Sequence, residues 1–289
     1  MTFNTRPAQV LADINYVRNA PAHGEPELEF YTDDPSRDTM QVLPGRRVTV
    51  TDARSANETF SIEGSGFQLC RMETKIERLE NLQLNPELLD QYCREVEQFL
   101  MDLTGGARVV VRRNSVTTRY GAPKDVNLPN VRPALFAHAD NTDASALEGP
   151  LKSVLDELEA NGVDFDLNEF SRYAYYNVWR CFSPAPQDIP LAVCDARTID
   201  PTDELAVKSI TNTSRFGVIT HGVTLYKHNP SHRWYYYRDM APDEVLVFKQ
   251  HDSKLPLRRT PHTAFVDPSC PPGVPTRNSV EARGAVFFK

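Results

Sequence analysis

Residues 218–248 read VITHGVTLY KHNPSHR WYYY RDMAPD EVLVF, three runs of β-branched and aromatic side chains cut apart by Pro230 and Pro242. Short runs of this composition, bounded by turn residues, mark strands. Similar runs stand at Val109–Val111, Pro133–His138, Tyr173–Cys181, Ile189–Cys194 and Val280–Phe288. Arg46–Val50 and Thr59–Ile62 read as further short strands, and Leu28–Tyr31 as an extended segment. The chain holds 22 prolines in 289 residues, above the usual ~5% and suited to a loop-rich β protein. Two helices are expected. Asn85 caps the first, Pro86 takes its first position, and Leu88, Leu89, Tyr92, Val96, Phe99, Leu100 and Leu103 recur at helical spacing before Gly105-Gly106. The second spans Ala146–Ala160, with Gly162 as terminator. Helices early and strands late argue against an alternating parallel α/β sheet. The expected fold is mainly β with flanking helices, a double-stranded β-helix or distorted jelly roll.

Length allows one sizeable domain. Residues 1–45, rich in Pro, Asp, Glu and Asn, read as an arm packed on the core, and 46–289 as the single catalytic domain. A formal charge of −7 gives no electrostatic case for nucleic acid or an anionic membrane surface. No apolar run approaches the ~20 residues of a membrane span, and Met1–Ala20 lacks a signal-peptide pattern, so the cytosol is expected. The five cysteines, Cys70, Cys93, Cys181, Cys194 and Cys270, include no close pair and read as reduced, buried residues.

Among the seven histidines, two open an HxD/E pattern, His138-Ala139-Asp140 and His23-Gly24-Glu25. Residues i and i+2 of a strand project to one side, so such a pattern can offer an imidazole and a carboxylate to one metal ion. The pattern alone is weak, since roughly one match is expected by chance here. Context separates the two. His23 sits in the polar arm, whereas His138 closes the apolar segment Ala134–Ala137. Far downstream comes Pro261-His262-Thr263-Ala264-Phe265, and then Arg277-Asn278-Ser279 directly before a hydrophobic strand. A second imidazole followed by an arginine suits an iron site whose co-substrate carboxylate is held by a planar guanidinium. Ser279 can donate to the same carboxylate, Arg283 is the rival anchor, and the plain alternative pairs Arg277 with Glu281.

With these residues in view, the chain resembles the hydroxylase/desaturase family of non-haem iron oxygenases of secondary metabolism, which includes gibberellin desaturases, cephem hydroxylases and aziridine-forming enzymes. The matching stretches are Tyr92–Arg112, His138–Thr142, Tyr176–Asp195, His232–Asp252 and His262–Arg283, covering most of the chain from Arg46 onward. The resemblance implies iron(II), 2-oxoglutarate and dioxygen, with His138, Asp140 and His262 as ligands. Cys181 departs from the pattern, which has Pro after the Trp-Arg pair.

Alternation puts Tyr173, Tyr175, Asn177 and Trp179 on one face of their strand, and Tyr176 and Arg180 on the other. Tyr175, Trp179 and Arg180 are the candidate substrate contacts, with Arg180 for a substrate carboxylate, because a basic residue amid aromatics needs a partner. His221, His228 and His232 read as surface or supporting residues, and Asp195, Asp243 and Glu244 as turn caps or partners of arginine. The expected reaction is hydroxylation, desaturation or oxidative ring closure at an unactivated C–H of a small, carboxylate-bearing metabolite. The alternatives are a cupin-type metalloenzyme without 2-oxoglutarate and a non-enzymatic binding jelly roll.

Overall fold

The computed structural model describes residues 6–18, 28–31, 35–39, 43, 45–120, 133–213, 217–255 and 259–289. In chain order its strands begin with β1 (Gln9–Ile14), β2 (Glu29–Tyr31), β3 (Arg46–Asp52), β4 (Phe67–Arg71), β5 (Arg108–Tyr120), β6 (His138–Ala139) and β7 (Arg172–Cys181). They continue with β8 (Leu191–Cys194), β9 (Glu204–Thr213), β10 (Gly217–Tyr226), β11 (Trp234–Tyr236), β12 (Glu244–Asp252), β13 (His262–Ala264) and β14 (Asn278–Phe288). One sheet has the order β1-β3-β11-β8-β13-β6-β10-β9-β2, and the other β4-β12-β7-β14-β5. Among the strand pairs of the described residues, only β11–β3 and β2–β9 are parallel. Two mainly antiparallel sheets packed face to face make the jelly roll that the sequence predicts.

The sheets meet through Leu191, Val193 and Tyr235 of the larger one and Phe67, Trp179, Leu246 and Phe248 of the smaller. The outer face of the smaller sheet is covered by α1 (Pro86–Thr104). Asn85 caps α1 as expected, its Oδ1 accepting from the backbone N–H groups of Glu87 and Leu88, and Gly105 closes it in the left-handed region at φ 69°. Leu100 of α1 rests against Gly284 of β14, where a Cβ would collide with it. That glycine lets helix and sheet approach closely.

Several expectations change. The second helix is broken into α2 (Asp143–Ala146) and α3 (Lys152–Ala160) by a wide turn over Leu147–Leu151. Pro150 lies inside that turn and, lacking an N–H, removes a helical hydrogen bond. Thr59–Ile62 is not a strand, because Ser61 begins a turn in which its carbonyl accepts from Ser65 N and its Oγ from Gly64 N. Of Pro133–His138, only His138 enters a ladder, with one bridge from Phe136 to Asn15. Strands β1, β4 and β9 had no counterpart in the sequence reading. β1 lies inside the stretch read as an arm, yet it pairs antiparallel with β3 and alternates exposed and buried residues.

Leu100 is fully buried between α1 and β14. Leu100→Ala leaves a cavity there and is expected to cost about 3 kcal/mol, read from the shift of the urea unfolding midpoint.

Candidate metal centre

β13 lies between β8 and β6, and His262 pairs directly with His138. Asp140 follows β6 by one residue. The potential ligand atoms of His138, Asp140 and His262 all lie within 4.8 Å of one another. Strand pairing thus gathers residues from distant parts of the chain.

Each imidazole is fixed by a backbone carbonyl. His138 Nδ1 is 2.9 Å from Phe136 O, and His262 Nδ1 is 3.3 Å from Thr260 O. A carbonyl can only accept, so each Nδ1 carries the proton and each Nε2 keeps its lone pair. Those Nε2 atoms sit 3.8 Å and 3.7 Å from Asp140 Oδ1. The His262 ring also packs on Phe248, with centroids 4.7 Å apart.

The other oxygen of Asp140 faces the smaller sheet. Oδ2 accepts from Arg283 Nε and from Asn177 Nδ2, each at 2.8 Å. The Asp140 backbone N–H donates to Gln250 Oε1 at 2.8 Å. Burial would raise the Asp140 carboxyl, but Arg283 and the two histidines together outweigh it and hold the group well below its ordinary range. Burial, joined by the neighbouring His262, pushes His138 down to about 3, and burial lowers His262 as well. At neutral pH this is a carboxylate between two neutral imidazoles, a donor set fit for a divalent metal ion.

A small cavity opens from the histidines towards β14, lined by His138, His262, Trp179, Leu191, Arg277 and Glu281 among others. Arg277 is 2% exposed. Its Nε donates to Ile189 O at 2.8 Å, one terminal nitrogen bonds Ser279 Oγ, and the guanidinium lies 5.3 Å from the Trp179 ring centroid. Burial lowers Arg277 to about 10. Glu281 pairs with Arg283 at 2.5 Å instead, and among the described residues no carboxylate forms an ion pair with Arg277.

The sequence of this chain matches, over residues 14–287, the family described as Oxidoreductase/YMDC permease-like domain. The chain belongs to that family. It is 29% identical, across 100% of its length and 98% of the relative's, to the hydroxylase/desaturase efuI of Hormonema carpetanum. It is 27% identical to the Fe(II)/2-oxoglutarate-dependent dioxygenase nvfI of Aspergillus novofumigatus, over 83% of each chain. The solved iron and alpha-ketoglutarate-dependent endoperoxidase NvfI shares its fold, with a TM-score of 0.80 at 24% identity over 97% of this chain and 98% of that one. The protein is therefore an oxidoreductase of the hydroxylase/desaturase type, among iron(II)/2-oxoglutarate-dependent oxygenases. No helix among the described residues is long and apolar enough to cross a membrane.

In this oxygenase the face assignments of β7 hold, but their meaning differs. Trp179 and Asn177 face the centre, and Tyr175 continues the same face towards α2 and α3, its ring 5.8 Å from His251. Arg180 does not join them. It is fully buried on the opposite face, with one terminal nitrogen donating to Met72 O at 2.6 Å and its guanidinium 5.8 Å from the Tyr92 ring of α1. The reading of Arg180 as a substrate anchor is corrected: both faces of this strand are buried, and Arg180 lies on the one under α1. Of the other histidines, His232 contacts Asp203, and His221 is exposed though within the field of Asp140 and Arg283. His23-Gly24-Glu25 lies outside the described residues. Asp195 caps a turn and pairs with Arg197 and Arg233, Glu244 grips Arg54, and Asp243 pairs with Arg71.

Sequence reasoning missed Gln250 and the contact of Asn177 with Asp140. Alternation had already put Asn177 on the central face, and that was the available signal.

Protons bear on stability here. The pKa of His138 is about 3 when folded against an ordinary 6.5, so between those values the unfolded chain binds more protons. Stability of the metal-free protein is therefore expected to fall as pH drops from about 6.5 towards 3. His138→Gln should flatten that slope in thermal melts recorded in chelator, and an unchanged slope would contradict the shift.

Proposed function

We propose that His138 Nε2, Asp140 Oδ1 and His262 Nε2 hold iron(II), and that Arg277 with Ser279 receives the distal carboxylate of 2-oxoglutarate. The observation that carries this reading is Arg277 itself, a buried guanidinium with no ion-pair partner among the described residues, lining the same cavity as both histidines. A buried cation without a close ion pair is costly, and a dianionic co-substrate would supply one. Arg283 is engaged with Asp140 and Glu281, which favours Arg277 over it as the anchor.

When bound, iron and 2-oxoglutarate supply the activation of dioxygen, with succinate and carbon dioxide as by-products. The chain's own residues do the rest. The carbonyls of Phe136 and Thr260 keep the histidine protons on Nδ1, away from the metal position. Trp179 supports the Arg277 guanidinium from its ring face. Leu191 and Ala264 give the cavity apolar walls that limit water.

The substrate is a small molecule, and we assign it to the carboxylated metabolites, with hydroxylation, desaturation or ring closure following from where its C–H lies. Tyr175 and Trp179 remain its candidate contacts, and the cytosol its place of reaction. A cupin-type chemistry without 2-oxoglutarate leaves Arg277 without a purpose.

His138→Ala, Asp140→Ala and His262→Ala are each expected to remove metal binding and succinate formation from a folded protein. Arg277→Lys keeps the charge and loses the planar fork, so the KM for 2-oxoglutarate should rise about tenfold or more with metal affinity little changed. A parent enzyme that forms product with no 2-oxoglutarate present would overturn the assignment.

A further inference from the structure

We infer that Arg283 and Asn177 are positioning residues that hold Asp140 to coordination through one oxygen. The inference rests on the ligand set proposed above and assigns the atoms beyond it. Asp140 Oδ1 faces the two Nε2 atoms, while Oδ2 accepts from Arg283 Nε and Asn177 Nδ2, both at 2.8 Å. A carboxylate oxygen has two lone-pair sites, so Oδ2 is fully used by these donors. Turning Asp140 to chelate a metal through both oxygens would break both bonds in a buried site.

The donors are themselves fixed. Arg283 of β14 and Asn177 of β7 are direct cross-strand partners, so they move as one unit. The Arg283 guanidinium is held from its far side by Glu281 at 2.5 Å and by Thr117 Oγ1 at 3.5 Å. Gln250 fixes the Asp140 backbone. A chelating aspartate takes one more position at the metal, and a site that must admit a bidentate co-substrate and dioxygen needs three positions open. The clamp therefore protects the open positions as well as aiming the ligand. It also separates the two arginines that follow His262: Arg277 serves the cavity, Arg283 the carboxylate.

Cobalt(II) titration of the full chain tests this, because cobalt absorption reports the metal's ligand set and its geometry without turnover. Asn177→Leu and Arg283→Met should each weaken cobalt binding by about 10–100-fold and change the visible spectrum, as expected when the second carboxylate oxygen displaces a water. Arg283→Lys should fall between, and the double variant should lose less than the product of the single losses. Arg277→Met should keep the parent cobalt affinity and spectrum. Should Arg283→Met fail to fold, Asn177→Leu, which removes only a neutral amide, carries the test alone. Parent-like cobalt affinity and spectrum in Asn177→Leu, and in Arg283→Met where it folds, overturn the clamp. If His262→Ala binds cobalt as the parent does, the ligand set fails and the clamp with it. Loss in His262→Ala beside unchanged clamp variants sinks the clamp alone.

Discussion

The bond from the Arg283 guanidinium to the Asp140 carboxylate ties one sheet to the other. Asp140 follows β6 of the larger sheet, and Arg283 and Asn177 belong to the smaller one. The carboxylate is thus shared between a site it can serve and an interface it spans. A buried pair contributes little net stability when intact, but losing one partner strands a charge and costs several kcal/mol. This is why the spacing of the sheets, the orientation of Asp140 and the position of the two histidines are a single geometric problem.

Two buried arginines show how similar surroundings lead to different roles. Arg277 and Arg180 are both almost fully buried, and each guanidinium lies within 6 Å of an aromatic ring centroid. Arg277 meets a cavity that also touches His138 and His262. Arg180 meets Met72 O, Tyr92 and the apolar layer beneath α1, and two of its nitrogens have no hydrogen-bond partner among the described residues. The first is placed for a ligand. The second spends its charge inside the packing, where it fastens the segment around Met72 to the sheet.

That contrast marks how far the sequence could be read. That His138, Asp140 and His262 come together was legible from an i, i+2 pair closing an apolar segment and a late imidazole, and the family resemblance supplied the three as one set. The β7 alternation was legible too, since a period of two is a local property. What alternation cannot say is which face looks inward. β7 is buried from Ala174 to Cys181 on both faces, because α1 covers one and the larger sheet the other, so hydrophobicity gave no contrast. Arg180 was misread for that reason. Arg283 was left undecided because its partner, Asp140, is 143 residues away in sequence, and no local signal spans that distance. The break at Pro150 was the opposite case: the residue was plain, but helical spacing on either side of it masked its effect.

The strand order has a consequence for how the chain is made. β14 lies between β7 and β5 in the smaller sheet, although both are synthesised long before it. Until β14 arrives, those two strands have no bridge between them, and α1 lacks the Gly284 surface on which Leu100 rests. Pairings of such wide sequence separation form slowly. The strand that bridges β7 and β5 thus also carries the guanidinium that meets the outer oxygen of Asp140, so one late pairing completes both the sheet and the clamp.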